Sequence, residues 1–165
     1  MKDRLRIFYL TSRQIQALLT ISAFFACKGL IGKAISILLD NIILHLYGME
    51  VTASSLDIKR LIIGHSTGVV LGGNGIRCTG TLHISSGVVF ARRYHADADD
   101  PQTVSSPLFT IDGDLTIGAN SVLMGPLSIK GPVLIGALSL VTRNITEPGV
   151  YVGAPAKKIR DLPAR

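Results

Sequence analysis

The sequence predicts a mainly β protein in which the chain winds as a parallel β-helix with six residues to each wall. Aliphatic residues recur at every sixth position, namely Ile111, Ile117, Leu123, Ile129, Ile135 and Val141. Small residues follow several of them, as in Ile117-Gly118-Ala119, where a sharply bending backbone leaves little room for side chains. Aromatic residues make up only 5% of the 165 residues, so the apolar content is mostly aliphatic and suits a thin core.

The period of six is the strongest of these observations. An α-helix repeats its apolar face every 3.6 residues and a strand every two, so neither accounts for an unbroken series of sixes. A chain that bends at each sixth residue does. Three such walls would close one coil, and successive coils would stack about 4.8 Å apart through backbone hydrogen bonds.

The same step extends towards the N-terminus through Ile58, Val70, Ile76, Leu82 and Val88, with Gly64 in the one vacant position. The β-helix is therefore expected to begin before residue 60. Val88 and Ile111 are 23 residues apart, which six does not divide, and the segment between them is polar, acidic and contains proline. We therefore predict a domain over 49–165 with an extruded loop at 91–107 and a C-terminal tail.

Residues 1–48 are predicted to form a helical segment. The uncharged run from Gln14 to Cys27 resembles a signal peptide, but the apolar character continues past Lys28, Lys33 and Asp40 without a clean cleavage site. We expect two helices instead. Ser12 would be the N-cap of the first, a stop would fall near Gly29–Gly32, and the second would end at about Tyr47.

The second of these helices carries an apolar face at three- and four-residue steps, formed by Ile31, Ile35, Leu38, Ile42 and Leu46. We expect this face to pack on the body of the protein or on a neighbouring subunit. The alternative is peripheral membrane contact, which the basic residues Lys2, Arg4, Arg6 and Arg13 would assist.

Charge and cysteine content narrow the class of protein. The formal net charge of +6 favours anionic partners such as phosphates, a nucleotide cofactor or an acidic membrane surface. Cys27 and Cys78 lack CxxC or Cys/His spacing, so we expect a cytoplasmic protein without a disulfide framework or zinc cage. The sequence contains no nucleic-acid module, P-loop or Rossmann fingerprint, and nucleic acid is not an expected partner.

Residues 50–160 resemble the hexapeptide-repeat acyltransferase superfamily. The resemblance rests on the hexads from Ile111 to Val141 and on the following tail, which runs from Thr142 through a Pro148-Gly149 turn and a Gly-Ala-Pro-Ala segment to Arg160. It implies a left-handed coil, a homotrimer, transfer of an acetyl group from acetyl-CoA, and a short basic C-terminal helix.

Two subfamilies resemble different parts of the chain. The segment Gly64-His65-Ser66-Thr67-Gly68 is similar to the motif in which serine acetyltransferases hold their general base, and Glu50 occupies the position of the assisting acid fifteen residues earlier. The chain lacks the serine enzymes' Gly-Gly…Arg-His-Pro loop. It instead resembles sugar acetyltransferases at its loop, where His95 corresponds to their histidine.

Either His65 or His95 is thus a candidate general base, because a neutral imidazole with a pKa near 6.5 can take the proton of an attacking hydroxyl. We predict O-acetylation of a saccharide hydroxyl in surface-polysaccharide biosynthesis, such as capsule, O-antigen or exopolysaccharide, with serine as the alternative acceptor. His83 is expected to stack one coil above His65, and His45 to lie on the helix surface. Asp97, Asp99 and Asp100 are expected to belong to a solvated loop.

The resemblance also implies where acetyl-CoA would bind. It implies contacts to the backbone of Ala119 and Ala137, and to Thr142, Arg143, Lys157 and Arg160, with Lys158 in the same basic cluster. Cationic side chains suit the phosphates of the cofactor. No metal is expected, since a zinc site of the gamma-type carbonic anhydrases needs three converging histidines and the His-x4-His spacing is absent. A trimeric scaffold without catalytic activity is a further alternative.

Overall fold

The computed structural model describes residues 2–72, 75–93 and 107–162, with side chains from residue 12 onward. Two helices precede a three-walled parallel β-helix. The elements are α1 (Lys2–Ala26), α2 (Gly29–Tyr47), β1 (Met49–Val51), a 3-10 turn η1 (Ala53–Ser55), β2 (Leu56–Ile63), β3 (Val69–Leu71), β4 (Ile76–Ile84), β5 (Val89–Arg92), β6 (Phe109–Asp112), β7 (Leu115–Ile117), β8 (Val122–Gly125), β9 (Leu127–Lys130), β10 (Val133–Ile135), β11 (Leu140–Val141), β12 (Gly149–Val152) and β13 (Lys157–Arg160).

The strands stack into three walls. The first wall is a five-stranded sheet in the order β1-β3-β5-β8-β11, and its strands pair in parallel. The second and third walls share one longer sheet, because β2 and β4 each run along both of them. Strands β6 and β9 continue the second wall, and β7, β10 and β12 continue the third. This is the predicted hexapeptide-repeat β-helix.

The interior contains the predicted hexad positions. Ile111, Ile117, Leu123, Ile129, Ile135 and Val141 are each at most 2% exposed. Burial of an aliphatic side chain of this size stabilises a fold by about 1.5–3 kcal/mol, so the column of six holds the coils together. Phe90 and Phe109 meet edge to face inside the prism, with ring centroids 5.0 Å apart.

The earlier register is only partly as predicted. Ile76, Leu82 and Val88 are fully buried, but Ile58 and Val70 are half-buried. Strand β3 instead points Val69 and Leu71 inward. The strict count of six fails there because the corner before β3 is two residues longer than the later corners.

The expected C-terminal helix is wrong for the described residues. Residues Lys157–Arg160 form β13, which pairs antiparallel with β12 at the last coil. The final strand of a β-helix presents a row of unpaired backbone N–H and C=O groups. Strand β13 pairs with these groups, whereas a helix at this position would leave them without hydrogen-bond partners.

The helices differ from the prediction at their start. Helix α1 already begins at Lys2, so Ser12 lies within it and is not an N-cap. The break falls at residues 27–28, and α2 ends at Tyr47 as predicted, with Gly48 as a left-handed C-cap whose N–H donates to the Leu44 carbonyl at 2.9 Å. Strand β1 follows immediately at Met49.

Most of the predicted apolar face of α2 stays exposed in its own chain, and only Ile35 and Ile42 of it are half-buried. The buried residues of α2 are Gly32, Ser36 and Ile43, which lie on a different face. Ile31 and Leu38 remain 78% and 60% exposed. Of the expected partners, a neighbouring subunit and a membrane surface remain.

Candidate active site

The corner at which the third wall passes into the first is the centre of the candidate site. We call it the histidine corner; it comprises residues 64–68, 85–87, 118–120 and 136–138. A column of residues with positive φ runs along it, formed by Gly48, Gly68, Gly87, Asn120 and Leu138, with φ between 56° and 71°. From Gly68 onward their N–H groups bond to carbonyls one coil earlier, as in Asn120 to Ser86 and Leu138 to Ala119, both at 2.9 Å.

The first coil has a longer corner than the coils above it. A single residue separates Gly118 from Asn120 and Gly136 from Leu138, whereas His65, Ser66 and Thr67 separate Gly64 from Gly68. The two extra residues carry the His65 side chain into an exposed position. Ser66 Oγ anchors this extension by donating to the Tyr47 carbonyl at 2.8 Å.

The coils above His65 approach each other closely at this corner. A Cβ atom added to Gly118 would lie 2.4 Å from the backbone nitrogen of Ala137, so only glycine fits there. The Ser121 hydroxyl donates to the Gly136 carbonyl at 2.9 Å and ties adjacent coils together. Ala119 is half-buried and Ala137 is exposed, so the two predicted cofactor-binding alanines leave accessible backbone on the same corner as the histidine, with residues 85–87 stacked between.

Leu138 is a residue at this corner that the sequence did not single out. Its φ is 57° and its side chain is 73% exposed. The left-handed conformation costs an ordinary L residue about 1–2 kcal/mol, and Asn120 one coil earlier is better suited to it. An aliphatic side chain therefore projects from the corner next to Ala137. The strain at this position is visible only in the backbone conformation.

Glu50 and His83, two further residues that the sequence analysis named, also lie near this corner. Glu50 is exposed on β1 and pairs with Val70, two residues beyond Gly48 of the positive-φ column. His83 does not stack on His65 as expected, because its partners in the ladder are Ile62 and Thr116. Its Nε2 nevertheless comes within 3.7 Å of a Cβ position on Gly64, so the ring lies beside the residue preceding His65.

A second corner carries the basic residues at the other end of the first wall. This arginine corner, where the first wall passes into the second, comprises Arg92, Arg93, Gly125, Thr142 and Arg143. Arg92 pairs with Gly125, and the Arg93 N–H bonds to the Gly125 carbonyl at 3.0 Å. The Arg93 guanidinium donates to the Thr142 carbonyl.

Residues 94–106, between β5 and β6, lie outside the described residues. Most of the predicted loop at 91–107 therefore lies outside the described residues, and so do His95, Asp97, Asp99 and Asp100. Leu138 and Thr142 are four positions apart along the first wall, which at about 3.3 Å per residue is roughly 13 Å. One chain thus holds His65 and Arg143 at opposite edges of the same wall.

In the predicted basic cluster of the tail, Lys158 forms ion pairs, whereas the other described cationic side chains do not. Lys158 Nζ lies 2.8 Å from an Asp161 carboxylate oxygen and 3.1 Å from one of Glu147. Hydrogen bonds to these two carboxylates raise the pKa of Lys158, and Lys158 in turn lowers the pKa of Asp161. Arg143, Lys157 and Arg160 are exposed and have no ion pair among the described residues.

The walls that meet at the histidine corner differ from the third side of the prism. Beyond the exposed Glu50, the outward column of the first wall is apolar and half-buried, formed by Val70, Val89, Val122 and Leu140. That of the third wall is half-buried and only partly apolar, formed by Ile62, His83, Thr116 and Leu134. The second wall is polar and presents Asp57, Arg77, Thr110 and Ser128 to solvent.

The site in a single chain is an open surface. A cavity of about 380 Å³ lies between α1 and β2, lined by residues including Leu19, Lys59 and Arg60, and none of the predicted site residues lines it. Within the ranges that the structure describes, no three His, Cys, Asp or Glu side chains come together in a metal-binding group.

Known proteins of similar sequence and fold are serine acetyltransferases. Serine acetyltransferase 2 of Arabidopsis thaliana is 26% identical over 128 residues, which are 78% of this chain and 37% of the relative. The structure of the Brucella abortus strain S19 enzyme in complex with coenzyme A superposes with a TM-score of 0.75 at 18% identity, over 93% of this chain and 57% of that one. For the Neisseria gonorrhoeae enzyme the TM-score is 0.72 at 22% identity, over 93% and 56%.

No protein-family model matches the sequence. The chain spans about a third of the curated relative and little more than half of the solved relatives. It has the fold of the hexapeptide-repeat acyltransferases, and its sequence is similar to that of a serine acetyltransferase. The resemblance inferred from the hexads and the tail is thereby confirmed.

Proposed function

We propose that the protein is an acetyl-CoA-dependent O-acetyltransferase with His65 as its general base. The observation that carries this proposal is the two-residue extension of the first corner, which exposes His65 on the same corner as the close-packed backbone of Ala119 and Ala137, with residues 85–87 stacked between them. The similarity to serine acetyltransferases, one of them solved with coenzyme A, supports the same chemistry.

The reaction needs one base and one oxyanion stabiliser. The acceptor hydroxyl oxygen attacks the thioester carbonyl carbon while the His65 imidazole takes the hydroxyl proton. A backbone N–H of the corner stabilises the tetrahedral oxyanion. Its collapse breaks the carbon–sulfur bond, and the imidazolium returns the proton to the departing CoA thiolate. Glu50, on the neighbouring coil, would orient the imidazole.

The cofactor would lie along the histidine corner. The exposed backbone at Ala119 and Ala137 offers partners for the amides of the pantetheine arm, and the small side chains keep the groove open. The open cations Arg143, Lys157 and Arg160 suit the phosphates of the nucleotide. Lys158 suits them less, since Glu147 and Asp161 already hold it.

A second copy of the chain would complete this site, and we propose the expected homotrimer. The outward column of the first wall is apolar from Val70 to Leu140 and that of the third wall is partly apolar, whereas the second wall is polar. Packing of neighbours on the first and third walls would place residues of a second subunit beside the histidine corner. This assembly would also supply the second side of a groove that one chain leaves open.

Serine is the first acceptor to test. The relatives with known structures are serine acetyltransferases, and they favour the alternative acceptor over the saccharide predicted from the sequence. A saccharide hydroxyl remains the second candidate. Arg93, which donates to the Thr142 carbonyl, precedes the segment 94–106, and the sequence of that segment resembles the sugar acetyltransferases through His95.

The test is release of free CoA thiol from acetyl-CoA by the full-length protein, with L-serine and then with a panel of sugars. We expect His65→Ala to lower turnover by about 10²- to 10⁴-fold. His45→Ala is the matched control, because His45 is an exposed histidine on α2 whose ring bonds only to the Asn41 carbonyl in its own helix. Glu50→Gln should reduce turnover less than His65→Ala.

Three results would separate the alternatives. Loss of turnover in His95→Ala with retention in His65→Ala would move the base to the loop and favour a sugar acceptor. If product forms only with a sugar, the sugar replaces serine as the acceptor. Failure of acetyl-CoA to bind saturably would overturn the enzymatic proposal and leave the scaffold alternative, and light scattering of the same sample would report whether the trimer forms.

A further inference from the structure

The hairpin of α1 and α2 has its polar groups inside. Ser22 is fully buried between the helices, where its hydroxyl lies 2.9 Å from Ser36 Oγ and donates to Asp40 Oδ1 at 2.7 Å. The other Asp40 oxygen accepts the Ala53 N–H of η1 at 3.3 Å. At the closed end, a Cβ on Gly32 would lie 2.3 Å from the Phe25 carbonyl, so the helices touch through backbone there.

The outside of the same hairpin is apolar. Eight large hydrophobic side chains are 41–86% exposed, namely Ile21, Phe24, Leu30, Ile31, Ile37, Leu38, Leu44 and Leu46. Small and hydrogen-bonded polar residues between helices, with aliphatic residues facing outward, are typical of helices that contact lipid. Water-soluble hairpins have the opposite arrangement. Among the described residues, α2 is also the one helix that is long and apolar enough to cross a membrane by length and composition alone.

Charge on the hairpin distinguishes a lipid surface from a second copy. Over residues 12–47 the charged side chains are Arg13, Lys28, Lys33 and Asp40. The three cations are exposed, while the single carboxylate is engaged between the helices. A symmetric contact between two hairpins would bring like charges together. An anionic headgroup layer would be complementary to them.

The position of the cations selects the mode of contact. Lys28 and Lys33 lie at the closed end of the hairpin, farthest from Gly48, where α2 joins the β-helix. A spanning hairpin would have to carry both charges across the hydrocarbon to the far headgroup layer, which is unfavourable. A hairpin lying in the interface lets both lysine stems extend along the apolar surface towards the headgroups.

We propose that the α1–α2 hairpin docks this protein on an anionic phospholipid bilayer, in the plane of the interface, with the exposed face of α2 in the acyl boundary. The proposal does not depend on the proposed enzymatic function, since none of its residues belongs to the histidine or arginine corner. It assigns the apolar surface of α2 to lipid, where the sequence left it between a subunit contact and a membrane.

The experiment is flotation of the full-length protein with vesicles of phosphatidylcholine and phosphatidylglycerol in equal parts, compared with phosphatidylcholine alone. We expect binding that requires phosphatidylglycerol and weakens with salt. Leu30→Ser/Leu38→Ser should lower the bound fraction at least about tenfold. Ile159→Ser is the matched control, because Ile159 is 58% exposed against 60% for Leu38 but lies on β13.

A second measurement reports insertion directly. Cys27 is exposed at the turn of the hairpin while Cys78 is buried, so an environment-sensitive fluorophore can be placed on Cys27 alone. Its emission should shift to shorter wavelength with the anionic vesicles and not with neutral ones. Absence of vesicle binding, or binding that survives the leucine substitutions, overturns the proposal. A fall in oligomeric mass in Leu30→Ser/Leu38→Ser without lipid also overturns it and assigns the face to another copy of the chain.

Discussion

The β-helix and the α1–α2 hairpin place their apolar side chains on opposite sides. In the β-helix, Ile117 and Ile135 are fully buried and the second wall presents charged and hydroxyl side chains to water. In the hairpin, Leu30 and Leu38 are 86% and 60% exposed, and Ser22 and Ser36 are buried. Both regions are rich in aliphatic residues, so composition alone does not decide where such residues go.

The two regions differ in aliphatic burial because their architectures can bury different numbers of surfaces. A coil with three walls encloses its own interior, so every sixth residue finds a buried position within one chain. A pair of helices shares a single contact, and in this hairpin Gly32, Ser22 and Ser36 occupy it. The exposed aliphatic residues of α2, unlike the buried Ile43, therefore need a partner that the described part of the chain does not provide.

The largest expected effect contrasts one residue from each region. Ile117→Ala should destabilise the protein by about 2–5 kcal/mol, because it leaves a cavity between tightly stacked coils. Leu38→Ala should change the free energy of unfolding by less than about 0.5 kcal/mol in the absence of lipid. Thermal unfolding at one fixed protein concentration measures both, since association would make Tm depend on concentration. Equal destabilisation by the two variants would show that Leu38 is covered in solution.

The next effect tests the polar interior of the hairpin. Asp40→Ala removes the acceptor of both Ser22 and the Ala53 N–H, and an unsatisfied buried group costs about 1–3 kcal/mol. We expect faster amide hydrogen exchange along α2 while β7 and β10 stay protected. Asn41→Ala is the control, because the exposed Asn41 side chain bonds only within α2. Unchanged exchange in Asp40→Ala would mean that packing at Gly32 suffices to hold the helices together.

Most of the β-helix could be predicted from the sequence, because the period of six is a local pattern in which each repeat corresponds to one wall. The prediction failed at Val70, since it counted evenly through the longer corner at residues 64–68. The spacing of Gly64 and Gly68 around His65 already contained that information. At the C-terminus, Lys157–Arg160 became a strand because a free sheet edge was available, and an edge is a property of the finished fold.

The candidate site was less predictable, because its residues come together through stacking and not through sequence distance. Ala119 and Ala137 share the histidine corner with His65, whereas Thr142 and Arg143 lie at the other edge of the first wall. Local pattern could not place His83 beside Gly64 or reveal the backbone strain at Leu138. Sequence periodicity likewise found the apolar face of α2 but not the direction it faces.

The smallest expected effect lies on the polar exterior of the last coil. The raised pKa of Lys158 means that its ion pairs stabilise the protein below the unfolded lysine pKa, and that this contribution is lost as pH rises through the raised value. The lowered pKa of Asp161 contributes stability above the unfolded aspartate pKa, and this is lost as pH falls through the lowered value. Lys158→Gln should therefore lower Tm slightly between these limits.

The exposed carboxylate sets the size of this effect. The Asp161 side chain is 85% exposed, so water and salt screen its pairing with Lys158. The difference in Tm between Lys158→Gln and the control Lys157→Gln should vanish in strong acid and shrink at high ionic strength. A difference independent of pH and salt would have another cause. The Lys158 stem covers Gly149, where an added Cβ would lie 2.6 Å from Lys158 Cε. A difference of that kind would mean that contact between this hydrocarbon stem and the backbone holds β13 on the last coil.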